Sequence, residues 1–162
     1  PYPRTPGTRL PTPSAPNAQR WAGADVISRI RYTMENPGGL AELTGAIRRQ
    51  LRELLAQACT QAGRAAGEVT TLSVAGNTVM EHLLAGLSPA GMAAAPFTPA
   101  SFFGQAVPAG PYDLGMAPDA ELYLFPCISG YVGGDITAGL TAVRAARAER
   151  VGGQAVLGRQ AL

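Results

Sequence analysis

The chain has 162 residues, room for one ordinary domain or two small lobes, with 46% hydrophobic and only 15% charged residues. Net charge is +2, from 13 basic and 11 acidic residues spread along the sequence, so neither a basic arm for nucleic acid nor an acidic tail is present. All 13 basic residues are arginine, which excludes a P-loop lysine, a Schiff-base lysine and a lysine-activated serine. The abundance of Ala, Gly, Pro and Arg is the composition that a GC-rich genome gives.

Residues 1–16 hold Pro1, Pro3, Pro6, Pro11, Pro13 and Pro16 and read as an extended leader or linker. From Gly23 to Met34, Val26, Ile27, Ile30 and Met34 fall on one helical face, with Asp25 in the first turn. Asn36-Pro37-Gly38-Gly39 breaks that helix. A longer amphipathic helix follows, its apolar positions at Leu40, Leu43, Ile47, Leu51, Leu54 and Ala58, ending near Gly63. Val69 to Ala75 reads as a short strand. Gly76 turns the chain into a helix through Val79, Met80, Leu83, Leu84 and Leu87, with Thr78 and Glu81 in a capping-box pattern.

Residues 88–118 read as a long loop, punctuated by prolines and anchored by Phe97, Phe102 and Phe103. Glu121 to Phe125 reads as a second strand, stopped by Pro126. The glycine-rich run from Ile128 to Ile136 then leads into a further helix with Ile136, Leu140 and Val143 on its apolar side. From Ala145 to Leu162 no clear element is expected, and the stretch is read as a poorly ordered tail. The expected organisation is thus a leader (1–16), an α/β body (17–144) with amphipathic helices packed on a small sheet, and a tail (145–162).

Two strand–turn–helix junctions, Gly76-Asn77-Thr78 and Ser129 to Asp135, are the places where chemistry could sit. Helix starts present free N–H groups to an anion, and glycine lets a ligand approach the backbone. The same turns also occur as plain connections in any α/β fold. The dinucleotide fingerprint and the nucleophile elbow both fail at residues 127–134. A triad of Ser129, His82 and a carboxylate is allowed by residue type alone, whereas a packed or surface-facing histidine is the preferred reading. Asp25 and Asp135 each start a helix; they either offset its dipole or face a cleft, there to hold a Mg²⁺-bound water or orient a partner group. Cys127 reads as a small buried residue rather than a reactive thiol. One histidine and two cysteines, Cys59 and Cys127, exclude a metal site of several His or Cys ligands and a cluster held by four thiolates. No signal peptide and no apolar run of about 18 residues is present. A cytoplasmic setting without membrane partners is expected.

Four blocks in order resemble the reductive activators of corrinoid proteins. These are Asn17-Ala18-Gln19 with Gly23-Ala24-Asp25-Val26-Ile27-Ser28-Arg29-Ile30; Val74 to Met80 with His82 and Leu83; Ala95-Pro96-Phe97-Thr98-Pro99; and Ile128 to Ala138. The resemblance implies an ATPase lobe of the actin, sugar-kinase and chaperone superfamily (ASKHA). It implies a parent protein whose [2Fe–2S] domain feeds electrons to Co(II) of a corrinoid protein, giving Co(I) at the expense of ATP and Mg. It also implies that Gly76, Asn77, Thr78, Ser129, Gly130 and Gly133 line the nucleotide cleft or its hinge, and that Asp135 and Asp25 are the catalytic carboxylates. The chain departs from the family pattern in three respects. The cluster cysteines are absent, neither D-x-G-T phosphate loop is present, and Ala18 stands where the family has proline. With a start at Pro1, these departures suggest an incomplete lobe, a fragment inactive alone. Two other readings are a non-catalytic α/β interaction module that docks through residues 88–118, and a kinase-like ASKHA enzyme with a small-molecule substrate.

Overall fold

The computed structural model describes the backbone of residues 12–150 and the side chains of 12–144. Its elements are α1 (Val26–Glu35), α2 (Gly39–Gln61), β1 (Thr71–Val74), α3 (Thr78–Ala85), β2 (Ala106–Pro108), β3 (Glu121–Leu124) and α4 (Gly134–Arg150), with short 3-10 turns between them. The leader up to residue 11 and the tail from residue 151 lie outside the described residues. Residues 145–150, expected to lack an element, continue α4.

The sheet has the order β1-β3-β2. β1 and β3 run parallel with Thr71 beside Glu121 and Val74 beside Leu124, and β2 pairs antiparallel with β3. The protein is therefore a mixed α/β fold with one small sheet. β2 is a correction to the reading of 88–118 as loop. Its three residues are too short for a period to register, and Pro108 sits at the edge of the sheet, where a missing N–H costs no ladder bond.

Two clusters make the core, and α3 belongs to both. Ala22, Ile30, Leu43, Val79, Leu83 and Met92 pack α1, α2 and α3 together. Leu84 turns the other way, against Leu122, Leu124, Ala109, Leu114 and Ala120 on and around the sheet, with Ile47, Leu51 and Leu55 of α2 alongside. This double use explains why α3 is short yet buried on nearly every side.

The first sequence block acts as a clasp on α2. Gln19 is fully buried; its Nε2 donates to the Leu43 carbonyl at 2.9 Å and its own N–H is held by Asn17 Oδ1 at 2.8 Å. Ala18 N–H donates to Gln50 Oε1 at 2.9 Å. Gly23 then takes φ +135°, and a Cβ there would stand 2.2 Å from Ser28 Cβ, so no other residue fits ahead of α1.

Three sequence expectations differ from the structure. Phe97 and Phe102 are 40% and 53% exposed, so Phe103 alone of the three anchors its segment, by packing on the sheet cluster and edge-on to His82. Ile136, Leu140 and Val143 do form one stripe, but each is more than half exposed, because only the first turn of α4 meets other described elements. The start of α3 also lies one residue earlier than the Thr78–Glu81 pattern suggests. Asn77 is the N-cap, its Oδ1 accepting from Met80 N–H at 2.9 Å. Replacing it by Ala is expected to cost about 1 kcal/mol in urea unfolding, as caps of this type do.

Candidate functional site: the joint at the ends of β1 and β3

The parallel strands β1 and β3 end side by side, and both chains continue through glycine turns into helices α3 and α4. Side-by-side carboxyl ends of parallel strands are where ligands of α/β proteins usually lie. Phe125 N–H donates to the Val74 carbonyl at 3.0 Å, carrying the pairing one step past the strands. From there the turns interlock. Asp135 N–H donates to the Gly76 carbonyl at 3.0 Å, and Thr78 Oγ1 donates to the Ser129 carbonyl at 2.8 Å. Ser129 Oγ accepts from Tyr131 and Val132 N–H groups at 3.3 and 3.2 Å, folding the connector into a tight loop. Tyr131 reaches across to donate its hydroxyl to the Met92 carbonyl at 3.1 Å.

Two glycines allow this contact. A Cβ on Gly133 would lie 2.5 Å from Thr78 N and 2.6 Å from Asn77 Cα, so the connector rests directly on the α3 backbone. A Cβ on Gly130 would meet the Phe97 carbonyl at 2.5 Å. Seven of the eight residues singled out from sequence, Gly76, Asn77, Thr78, Ser129, Gly130, Gly133 and Asp135, thus fall in one place. Asp25 does not join them by any hydrogen bond: its carboxylate caps α1, accepting from Ser28 N–H at 2.7 Å, which holds its pKa below the ordinary carboxylate value. Its neighbour Arg29 is buried at 6% exposure, with Nη1 3.3 Å from Met80 Sδ and no ion-pair partner among the described residues.

Some of the joint's donors are spent on the joint itself, while the N–H groups of Asn77, Thr78 and Val79 have no hydrogen-bond partner among the described residues. Gly76 and Met80 N–H groups hold side chains, Asp135 N–H holds a carbonyl, Ile136 N–H is taken by Gly133 O and Asp135 Oδ1, and the Gly133 backbone covers Thr78 N. Among the described residues no group of His, Cys, Asp or Glu could hold a metal ion. Cys59 and Cys127 are single buried thiols and do not fit an iron–sulfur cluster. Burial raises the Cys127 pKa, with the neighbouring Glu81 adding to the rise, as expected of an inert thiol.

His82 takes no part in a triad with Ser129. It is fully buried, its Nδ1 2.7 Å from the Thr78 carbonyl and its Nε2 accepting N–H groups of Ala100 and Ser101 at 3.0 and 3.2 Å. Those partners require the neutral ring with the proton on Nδ1. Burial accordingly lowers its pKa.

One residue of the joint escaped the sequence reading. Glu81, taken there as half of a capping box, is 1% exposed and sends Oε1 to Gly76 N–H at 3.1 Å, leaving Oε2 without a partner. Burial pushes its carboxyl up to about 7, the Gly76 N–H pulls the other way, and the Asp135 carboxylate adds to the rise. Its position four residues after the true N-cap was the available signal: one turn on, a side chain comes back over the helix start.

Comparison with known proteins bears on what this joint belongs to. Residues 5–148 match the model of the RACo middle region. The chain is 34% identical over 139 residues to the corrinoid activation enzyme RamQ of Eubacterium limosum, an alignment covering 85% of this chain and 23% of that protein. It superposes with TM-score 0.76 and 40% identity on a solved reductive activator for corrinoid, iron-sulfur protein, covering 81% of this chain and 21% of that one. The chain spans less than a quarter of the length of either relative. With this match over most of its length, the chain belongs to the RACo family, as that family's middle region.

Proposed function

We infer that this region works within an activator of corrinoid proteins, one that couples ATP hydrolysis to the transfer of an electron from a [2Fe–2S] cluster onto Co(II), restoring Co(I). The observation that carries the reading is the meeting of two of the four resemblance blocks, Val74 to Met80 and Ile128 to Ala138, at one interlocked joint in a chain 40% identical to a reductive activator. In this reading the lobe is of the ASKHA type and the setting cytoplasmic. The cluster and the phosphate-binding loops belong to parts of the activator other than these residues, since neither four cysteines nor a D-x-G-T motif is present in this sequence. ATP supplies the driving force when bound; the residues of this chain position and transmit.

The task proposed for Gly76, Asn77, Thr78, Ser129, Gly130, Gly133 and Asp135 is therefore that of a joint beside the nucleotide cleft. Thr78 and Gly133 hold α3 against the connector, and the Asp135 N–H fixes the start of α4 to the end of β1. A segment with two discrete packings at such a place can pass the state of one lobe to another. Asp25 is proposed to act through the orientation of α1 rather than at the joint.

In a full-length activator carrying this region, Asn77→Ala and Asp135→Ala are each expected to lower corrinoid-stimulated ATP hydrolysis and Co(I) formation by about 10-fold, equivalent to about 1.4 kcal/mol of transition-state stabilisation. Wild-type rates in both variants would remove the Asn77 cap and the Asp135 carboxylate from the mechanism. A second reading, docking of a partner through residues 88–118, is favoured by the exposure of Phe97, Phe102, Ile128 and Tyr131. Weakened binding to the corrinoid protein in Phe102→Ala, with unstimulated ATP hydrolysis intact, would support it.

A further inference from the structure

Glu81 is an unusual occupant of its position. Its carboxyl lies between the β1–α3 turn and the first residue of α4: Oε1 accepts from Gly76 N–H, and a Cβ on Gly134 would stand 2.2 Å from the same oxygen. Oε2 is buried with no partner. The titratable groups facing it are the Asp135 carboxylate from α4 and the Cys127 thiol from the segment after β3. The adjacent His82 turns to Thr78, Ala100 and Ser101 instead. Among the described residues no arginine pairs with Glu81; the three ion pairs lie elsewhere.

A carboxylate so placed has one hydrogen bond, a like charge beside it and no counter-ion, whereas the protonated acid loses little by burial. The Gly76 N–H draws the charge in the opposite sense, but less strongly than desolvation opposes it. Gly76 is the common point: its N–H goes to Glu81 and its carbonyl receives Asp135 N–H. Gly134 walls the carboxyl on the Oε1 side, and moving the first turn of α4 to admit water there would break the Asp135–Gly76 hydrogen bond.

We propose that Glu81 is a proton-operated latch of this joint: protonated, its carboxyl stays folded between Gly76 and Gly134 and α4 docks on the end of β1; ionised, it draws water in and releases the first turn of α4. Glu81 is thus a positioning residue, acting through Gly76 and Asp135. The latch is a property of these residues and does not depend on the corrinoid reading.

Hydrogen exchange of the 162-residue chain tests it, with rates corrected for the intrinsic effect of pH. Protection of the Asp135 amide is expected to fall about 10-fold between pH 6 and pH 8 in the wild type and to stay constant in Glu81→Gln, which keeps the shape of the neutral acid. Carboxyl ¹³C titration of Glu81 in the wild type is expected to show a midpoint near neutrality. Asp135 protection that is independent of pH in the wild type overturns the latch. So does a pH dependence that persists in Glu81→Gln. Should Glu81→Gln fail to fold, a Glu81 midpoint in the ordinary carboxylate range overturns it from the wild type alone.

Discussion

Gly133→Ala is expected to unlock the joint and to destabilise the protein by about 3 kcal/mol or more, the upper range for overpacking at a site that cannot relax. The reason is what the added methyl would meet. At Gly133 the obstacles are backbone atoms of the neighbouring helix start, Thr78 N at 2.5 Å and Asn77 C at 2.8 Å, and a backbone cannot swing aside as a side chain can. The connector would have to retreat, taking with it the Thr78–Ser129 and Asp135–Gly76 hydrogen bonds. Gly139→Ala, in α4, is the control. Nothing lies within 4 Å of a Cβ there, and replacing a helical glycine by alanine is worth about 0.5–1 kcal/mol in the stabilising direction. Urea unfolding of the two variants should therefore move the midpoint in opposite directions. Equal effects would mean that the joint tolerates separation and that the close contact of Gly133 carries no stability.

This pair of glycines shows what sequence could and could not supply. Both stand in the same stretch of glycine and small residues, and periodicity gives no hint that one touches a helix while the other faces open space. Helices α1, α2 and α3 were legible because their apolar positions recur with a helical period and α2 alone spans 23 residues. β1 and β3 were legible from β-branched and aromatic runs ended by Gly76 and Pro126. The pairing of those strands was not, nor was β2, since register depends on partners distant in the chain. The resemblance placed one glycine turn in a cleft and the other in its hinge but did not say that they touch; the hydrogen bonds of Thr78 and Asp135 are what join them. The buried carboxyl of Glu81 stayed hidden for a different reason: a glutamate in a first helical turn is usually solvated, and nothing local tells that Gly134 will close over it.

His82→Ala is expected to be the most damaging single change on the opposite side of α3. The ring is fully buried, and its Nε2 is the acceptor for two N–H groups, those of Ala100 and Ser101, that have no other partner given by the fold. Losing the acceptor of these two half-buried N–H groups costs less than the about 1–3 kcal/mol each of fully buried ones, and the cavity left by the buried ring adds to it. A total of about 3–5 kcal/mol is comparable with the whole stability of a domain of this size. His82→Gln offers an amide oxygen for the same donors and is expected to recover part of the loss. An equal loss in both variants would show that ring packing against Phe103, rather than hydrogen bonding, holds residues 98–103.

The same histidine gives the stability a pH dependence of known sign. Its folded pKa is depressed, so the unfolded chain takes up the proton first. The contribution of His82 is then complete above about pH 6.5 and is lost as the pH falls below it. Glu81, one residue earlier, works in the opposite sense. Its folded pKa is raised from 4.5 to about 7, so its contribution is complete below about pH 4.5 and is lost as the pH rises through 7, at most about 3 kcal/mol. Below about pH 6.5 and above about pH 4.5 the two slopes have opposite sign, and the wild type should vary less with pH there than either variant. Substitution separates them. Urea midpoints of Glu81→Gln should rise with pH across this interval, as the histidine alone dictates, while those of His82→Gln should fall. Profiles in both variants that parallel the wild type would place the responsible groups outside α3. Divergence in the stated directions would locate the proton dependence of the fold on two adjacent residues, one holding the segment after α3 and the other holding the start of α4.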